Sequence, residues 1–120
     1  MKLAIVGWRK FNDFNIFCRK IEETLHLWNV EPKSIEVIIS GGATGTDTLA
    51  ERWAKSNEIF TKIFLPDWKQ HGKAAGPIRN SLIIDESTHV IAFLSKESRG
   101  TYDSIKKAKQ GNKILVVHNI

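Results

Sequence analysis

Several residue types are scarce in this chain of 120 residues, and each scarcity excludes a class of protein. The single cysteine, Cys18, cannot form an internal disulfide and cannot build a cysteine-rich zinc site. The uninterrupted apolar runs, such as Val37 to Ile39, are far too short to cross a bilayer. The apolar stretch Leu3 to Gly7 is also too short for the hydrophobic region of a signal peptide. We therefore expect a reduced, soluble, cytoplasmic protein with no membrane segment.

Charge of one sign is only mildly in excess, with 18 Lys and Arg residues against 13 Asp and Glu residues and a net charge of +5. This excess makes anionic partners plausible, but it does not choose among nucleotides, nucleic acids and acidic proteins. The composition, 42% hydrophobic and 26% charged, is that of a globular protein. A chain of this length fits one domain, so we predict a single domain over residues 1–120.

Five short apolar runs alternate with helix-length segments along the chain. The runs are nearly continuous in Val, Ile, Leu and Phe, which is typical of parallel strands buried on both faces. They cover Leu3–Gly7, Glu36–Ser40, Thr61–Leu65, Thr88–Leu94 and Lys113–His118. Apolar residues at helical spacing lie between them, in Phe14–Trp28, Leu49–Ala54, Ile78–Ile84 and Tyr102–Ala108. We expect Glu31-Pro32 to end the first helix and Gly111 to end the last.

This alternation predicts a doubly wound α/β domain, a three-layer sandwich around a parallel sheet of about five strands in the order 3-2-1-4-5. Ligands of such sheets bind beyond the carboxyl ends of the strands, where the strand order reverses. Here that point lies between the first and fourth strands. The segments to search are therefore Gly7–Asp13, Ser40–Asp47 and Leu94–Asp103.

The segment Ser40-Gly41-Gly42-Ala43-Thr44-Gly45-Thr46-Asp47 follows a predicted strand and opens a predicted helix. Its glycines allow positive φ angles and a close approach to a ligand, and the free N–H groups of a helix start attract an anion. The segment is neither a Walker A loop, because no Lys follows the last Gly, nor a G-x-G-x-x-G fingerprint. Two interpretations stay open. One is a phosphate cradle, and the other is a tight turn with Thr44 or Thr46 as N-cap and Asp47 complementing the helix dipole.

A second loop, Glu97-Ser98-Arg99-Gly100-Thr101, lies between the fourth predicted strand and the last predicted helix. Its hydroxyls, its glycine and its arginine suit a phosphate or a ribose. The alternative is a capped helix, with Thr101 as N-cap and Arg99 in solvent. The predicted topology places both loops at the same end of the sheet, which favours a shared ligand site.

Other residues near these loops carry suitable chemistry. Arg9 follows the first predicted strand, and Arg79 with Asn80 lies at the start of a predicted helix. A guanidinium suits phosphate because its planar fork donates two hydrogen bonds at once, although each arginine can equally be a solvated surface residue. Trp68 and His71, in the long loop after the third strand, could stack on a base, or Trp68 could fold onto the flank of the domain.

Nothing in the sequence indicates a metal site or a cofactor. The four histidines lie in different predicted elements, without the spacing of metal ligands. Cys18 lies on the apolar stripe of the first predicted helix, which indicates a packed thiol rather than a nucleophile.

Taken together, these motifs resemble the small YspA-like branch of the SLOG superfamily. The resemblance covers nearly the whole chain. It rests on Gly7-Trp8-Arg9 with Phe11 and Asp13, Ser40–Ala43 with Gly45 and Asp47, Leu49–Ala54, Asp67-Trp68, Gly72–Pro77 with Arg79-Asn80, and Ser98–Thr101 with Asp103. The superfamily is Rossmann-like and includes the LOG phosphoribohydrolases, the DNA-processing protein A family and predicted sensors of nucleotide-derived signals such as ADP-ribose derivatives. The resemblance implies a nucleotide or nucleotide-sugar site built from the two loops.

The second loop departs from the pattern of the LOG enzymes, which carry Pro-Gly-Gly-x-Gly-Thr-x-x-Glu there. Only Gly100-Thr101 is shared, and the position of the catalytic Glu holds Ser104. Asp103 lies one residue too early, so the catalytic acid of that family is not matched. This departure counts against hydrolysis of an N-glycosidic bond.

Three functions follow, in this order. The first is a binding module that senses or sequesters a nucleotide or nucleotide-sugar. The second is a hydrolase of such a ligand with Asp47 or Asp103 as general base, although nearby phosphate-binding cations and amides should lower the pKa of either carboxyl. The third is a protein that binds single-stranded DNA. A homodimer is favoured as the oligomer. The predicted ligand-binding residues are Gly7, Trp8, Arg9, Ser40, Gly41, Gly42, Gly45, Thr46, Asp47, Arg79, Asn80, Ser98, Arg99, Gly100 and Thr101.

Overall fold

A computed structural model describes residues 1–120 and contains one parallel sheet of five strands. The strands are β1 Lys2–Gly7, β2 Val37–Ser40, β3 Thr61–Ile63, β4 His89–Leu94 and β5 Ile114–Asn119. Their order is β3-β2-β1-β4-β5, and every neighbouring pair is parallel. The predicted fold class and strand order are therefore confirmed.

Five α-helices connect the strands. They are α1 Phe14–Leu27, α2 Thr46–Ser56, α3 Trp68–His71, α4 Ala75–Glu86 and α5 Arg99–Gln110. Two short 3₁₀ turns, Pro32–Ser34 and Gly72–Ala74, complete the connections. None of the helices has the length and apolar character needed to cross a membrane.

The helices cover the two faces of the sheet and bury a core on each. On one face, Leu3, Ile5 and Phe93 of the strands pack against α1 and α2. On the other face, Val6 and Ala92 pack against α4 and α5. Alternate residues of β1 and β4 thus enter opposite cores, which explains why their sequences are apolar without a break.

The helix ends differ from the expectations. Helix α1 ends at Leu27 rather than at Glu31-Pro32, because Asn29 adopts a left-handed conformation with φ of 57°. The N–H of Val30 donates to the Leu25 carbonyl at 2.9 Å, which completes a Schellman motif. Helix α5 ends in the same way, with Asn112 at φ 54°, while Gly111 keeps a negative φ. Gly111 therefore follows the last residue of α5, as expected, but it is the C-cap, and the left-handed C′ position belongs to Asn112, since asparagine also tolerates that conformation.

Two further elements were predicted incorrectly. Strand β3 is only three residues long and mostly exposed, because it forms the edge of the sheet and is not buried on both faces. The segment after it is not one long loop, since it contains α3 and a 3₁₀ turn. Asp67 begins α3 by accepting a hydrogen bond from the Gln70 N–H at 3.1 Å.

Candidate functional site

A cleft of about 470 Å³ opens at the carboxyl ends of β1, β2 and β4, where the strand order reverses between β1 and β4. Eleven of the predicted ligand-binding residues line it, namely Gly7, Trp8, Arg9, Gly41, Asp47, Arg79, Asn80, Ser98, Arg99, Gly100 and Thr101. The remaining four, Ser40, Gly42, Gly45 and Thr46, do not. The two predicted loops therefore do meet in one cavity.

The loops after β1 and β2 are locked together through backbone carbonyls. The Trp8 carbonyl accepts hydrogen bonds from both the N–H and the hydroxyl of Thr46, at 3.1 and 2.9 Å. The Thr44 hydroxyl donates to the Arg9 carbonyl at 3.2 Å. Gly45, at φ 73°, lies so close to Arg9 that any Cβ there would overlap its backbone. Thr46 and Gly45 therefore shape the site and do not line it.

Helix α2 is not capped as expected. Its N-cap is Gly45, and neither the Thr44 nor the Thr46 hydroxyl caps it, because both donate to the loop after β1. Asp47 folds back, and its Oδ2 accepts a hydrogen bond from the Ala43 N–H at 3.0 Å. The carboxyl is thereby held at the wall of the cleft rather than in solvent.

Arg79 forms the floor of the site beside Gly41. Its Nη1 donates to the Gly41 carbonyl at 2.7 Å, and its Nε donates to the Asn80 Oδ1 at 3.1 Å. A Cβ on Gly41 would lie 2.6 Å from that Nη1 and 3.1 Å from the Asp47 Oδ2. The absence of a side chain at Gly41 is therefore what lets the guanidinium and the carboxyl approach the same loop.

Burial shifts the pKa values of the Asp47 carboxyl and the Arg79 guanidinium. It raises the pKa of Asp47, and the Ala43 hydrogen bond and the Arg79 charge offset that rise only in part. Burial also lowers the pKa of Arg79. The expectation of a lowered pKa for Asp47 was therefore wrong, because desolvation outweighs the nearby donors. The Ser40 hydroxyl, fully buried next to this group, makes no hydrogen bond.

Two other arginines of the cleft have no acidic partner. Arg9 and Arg99 are exposed, and neither forms an ion pair with an acidic residue. Arg9 lies in the loop after β1 and Arg99 is the first residue of α5, so they approach the cleft from different elements. At the rim, Lys10 and Glu97 form a long ion pair of 3.9 Å between the same loops.

Helix α5 begins earlier than expected. Ser98 is its N-cap, so Thr101 lies inside the first turn and is buried. The Ser98 hydroxyl is engaged with the carbonyl and the N–H of Ser95, each at 2.7 Å. The N–H of Gly100 donates to no acceptor in the protein, and a Cβ on Gly100 would meet nothing within 4 Å. This open amide at a helix start suits an anion.

Asp103, the other candidate base, lies outside the cleft lining. Its Oδ2 accepts hydrogen bonds from Asn80 Nδ2 at 3.1 Å and from Lys107 Nζ at 2.8 Å. Burial alone would raise the pKa of Asp103, but these two hydrogen bonds and the Lys107 charge outweigh it and lower the pKa. Asp103 therefore positions Asn80, and it is not available to the cavity as a base.

Six lining residues were not predicted. They are Val6, Lys10, Ala43, Ile83, Glu97 and Ser104. Val6 and Ile83 look like ordinary core residues in the sequence, and no signal distinguishes them. Ser104 lies four residues after Gly100 on α5, one helical turn further along the same face, so helical spacing could have identified it. No group of three His, Cys, Asp or Glu side chains is arranged to hold a metal ion.

Gly42 and Trp68 line a second, shallower cleft of about 310 Å³ next to the first. Gly42 has a positive φ of 67°, in agreement with the expectation that the glycines of this loop allow such angles. A Cβ on Gly42 would lie 2.6 Å from Leu65 and 2.9 Å from Ile63, two residues that line neither cleft. His71 lines neither cleft.

Two proteins resemble this chain over most of its length. The Gene 61 protein of Mycobacterium phage D29 is 29% identical over 115 residues, which cover 91% of this chain and 89% of that protein. The crystal structure of DNA processing protein A from Streptococcus pneumoniae superposes with a TM-score of 0.75 at 20% identity. That match covers 97% of this chain but only 49% of the other, so the chain spans about half of that protein and shares its Rossmann-like fold.

A family model matches residues 1–71, from β1 through α3, and so includes the loops after β1 and β2. The matched segment is more than half of the chain. It contains the loop with Gly41 and Gly42, together with Asp47, but it contains neither Arg79 nor the start of α5. The chain therefore belongs to the YspA, cpYpsA-related SLOG family.

Proposed function

We propose that this protein binds a nucleotide or nucleotide-sugar, such as an ADP-ribose derivative, in the cleft at the carboxyl ends of the strands, and thereby senses or sequesters it. The observation that carries the proposal is the pair of arginines without acidic partners, Arg9 in the loop after β1 and Arg99 at the start of α5, which line one cavity. Unpaired guanidinium groups that converge in a cleft favour phosphate, because each can donate two hydrogen bonds to it.

The backbone supports the same conclusion. The N–H groups of Gly41 and Gly100 have no acceptor within the protein, and both residues line the cleft. Gly100 lies in the first turn of α5, where the helix dipole adds positive potential. Amides and cations of this kind bind phosphate without any reaction.

The absence of a matched acid favours binding over LOG-type hydrolysis. Ser104 stands where the LOG enzymes carry their catalytic Glu, and it lines the cleft with a hydroxyl. Asp103, its neighbour, is held by Asn80 and Lys107. A cytoplasmic location, a homodimer and a single domain stay predictions.

Titration calorimetry with ADP-ribose and AMP tests the proposal. Arg99→Ala should lower the affinity roughly 10- to 100-fold, the effect of one charge-assisted hydrogen bond. Arg19→Ala is the matched control, because Arg19 is exposed on α1, lines neither cleft and changes the net charge equally. Equal losses in both variants would reduce the site to general electrostatic attraction, and no binding to the wild-type protein would refute the proposal.

A second candidate function, hydrolysis of the same ligand, is favoured by one observation. Asp47 lines the cleft with a raised pKa, and a general base works best when its pKa approaches the operating pH. Incubation with ADP-ribose, AMP and NAD followed by chromatography distinguishes the two functions. Intact ligand supports binding alone, whereas multiple turnovers that Asp47→Asn abolishes would establish the hydrolase.

A further inference from the structure

The two clefts are parts of one continuous surface. Four residues line both of them, Arg9, Gly41, Ala43 and Arg79. The first cleft is rich in cations, amides and hydroxyls, whereas the second adds Pro66 and Trp68. A ligand that reaches across Gly41 and Ala43 would therefore meet polar groups at one end and an aromatic ring at the other.

Trp68 is held in place without being buried. It is 55% exposed and belongs to neither hydrophobic core. Asp67 fixes the short helix that carries it, and the far edge of the indole lies 3.9 Å from where a Cβ on Gly76 would be. Packing within this chain thus leaves a large aromatic surface free at the rim of the second cleft.

The first cleft offers no equivalent surface for a base. Its aromatic residue, Trp8, is half-buried and packs against the core under the sheet. Most of its other polar lining groups suit phosphate and sugar, because they are guanidinium, ammonium, hydroxyl and amide groups, and the carboxyl groups of Asp47 and Glu97 lie among them. A flat, apolar base would gain most from the exposed indole, since stacking on an aromatic side chain tolerates every base.

We propose that the second cleft is a base subsite, in which the base of the ligand stacks on Trp68. This inference rests on the proposed function and extends it by stating how the ligand is oriented across the two clefts. The phosphates lie at Arg9, which both clefts share, and the group beyond the phosphates enters the first cleft beside Asp47. The ligand class that fits is a nucleotide with a second group attached through its phosphates, such as a nucleotide-sugar, rather than a free mononucleotide.

Titration calorimetry with three probes tests this subsite. ADP-ribose fills both clefts, AMP retains the base, and ribose 5-phosphate lacks it. Trp68→Ala should weaken ADP-ribose and AMP about 5- to 150-fold, the range for loss of one stacked base, and leave ribose 5-phosphate unchanged. Trp68→Phe should restore most of the affinity, because a smaller ring still stacks. Phe60→Ala is the control, since Phe60 is 83% exposed and precedes β3 at the opposite end of the sheet.

Each contrary result has a distinct meaning. If wild type and Trp68→Ala bind ADP-ribose equally, the base subsite is wrong and the proposed function stands. If Trp68→Ala weakens ribose 5-phosphate as much as ADP-ribose, Trp68 shapes the cleft and stacks on no base. If wild type binds none of the probes, the subsite and the proposed function both fail. Tighter binding of single-stranded oligothymidylate than of ADP-ribose, also dependent on Trp68, would assign the subsite to a nucleic acid instead.

Discussion

Two arginines in one cleft perform different tasks, although they look alike in the sequence. Arg79 is buried, and its guanidinium donates hydrogen bonds to the Gly41 carbonyl and to the Asn80 side chain. Arg9 is exposed, and its carbonyl, not its side chain, makes the contacts that join the loops. The first arginine therefore organises the protein, and the second is free to meet a ligand.

Unfolding in urea should separate these roles. Arg79→Ala is expected to lower the free energy of unfolding by about 1.5–3 kcal/mol, because it leaves the buried Gly41 carbonyl without its charged donor. Arg9→Ala should change stability by less than about 0.5 kcal/mol, as surface substitutions usually do. If both variants lose stability to the same extent, Arg9 has a structural role that its exposure does not indicate.

The Asp47 carboxyl should give the protein a measurable pH dependence. Because its folded pKa is raised, its contribution to stability is fully present below the unfolded pKa and is lost as the pH rises through the folded value. Asp47→Asn should therefore stabilise the protein at neutral pH more than at acidic pH. Urea unfolding of both proteins across this range measures the difference, and a constant difference at every pH would contradict the raised pKa.

At the scale of elements, the start of α5 shows what the sequence reveals and what it conceals. The hydroxyls and glycine of this loop were sufficient to predict a helix start at the cleft. They were not sufficient to choose the N-cap, because Ser98 and Thr101 have equivalent side chains. Only the contact of Ser98 with Ser95 decides the matter, and that contact depends on how the loop leaves β4.

Gly100→Ala should uncouple stability from binding. Gly100 has an ordinary negative φ and open space where a Cβ would stand, so alanine in the helix should stabilise the protein by about 0.5–1 kcal/mol. The same methyl group should weaken ADP-ribose binding, because it stands beside the free amide. Thermal unfolding and calorimetry on one sample give both values. Stronger or unchanged binding would remove this helix start from the site.

The short helix α3 could not be predicted, for a physical reason. Four residues are too few to display the 3.6-residue period from which helices are recognised. The capping residue Asp67 was the one local signal, and aspartate is equally common in loops. The longer helices and the strands β1, β2, β4 and β5 were predicted, because their apolar patterns extend over enough residues to be recognised, whereas β3 was predicted in place but too long.

At the scale of the whole molecule, the order of the strands followed from general rules. Right-handed crossovers and the alternation of strand and helix leave few arrangements for five parallel strands, and the observed order is the one expected. That order brought Arg9, Gly41 and Arg99 into one cleft although they are distant in the chain. Asp103 shows what these rules cannot predict. The hydrogen bonds that it accepts from Asn80 and Lys107 depend on how α4 and α5 pack.

The net charge of the whole chain should affect ligand affinity less than the local charges of the cleft do. A small anion held by the two free guanidinium groups releases no condensed counterions of its own, so its affinity should fall only modestly as the salt concentration rises. A single-stranded nucleic acid that neutralises many cations would lose far more affinity over the same rise. Calorimetry at several salt concentrations measures the slope. A steep slope for ADP-ribose would show that the net charge of +5 dominates binding.

The contact between Gly45 and the Arg9 backbone has a consequence for evolution. A Cβ at position 45 would collide with main-chain atoms, which every amino acid at position 9 would present in the same place. No compensating substitution at position 9 can relieve that collision. Among homologues that keep this loop, the side chain at position 9 is free to change, whereas the glycine should persist. A lineage that lost Gly45 would have had to rebuild both loops together.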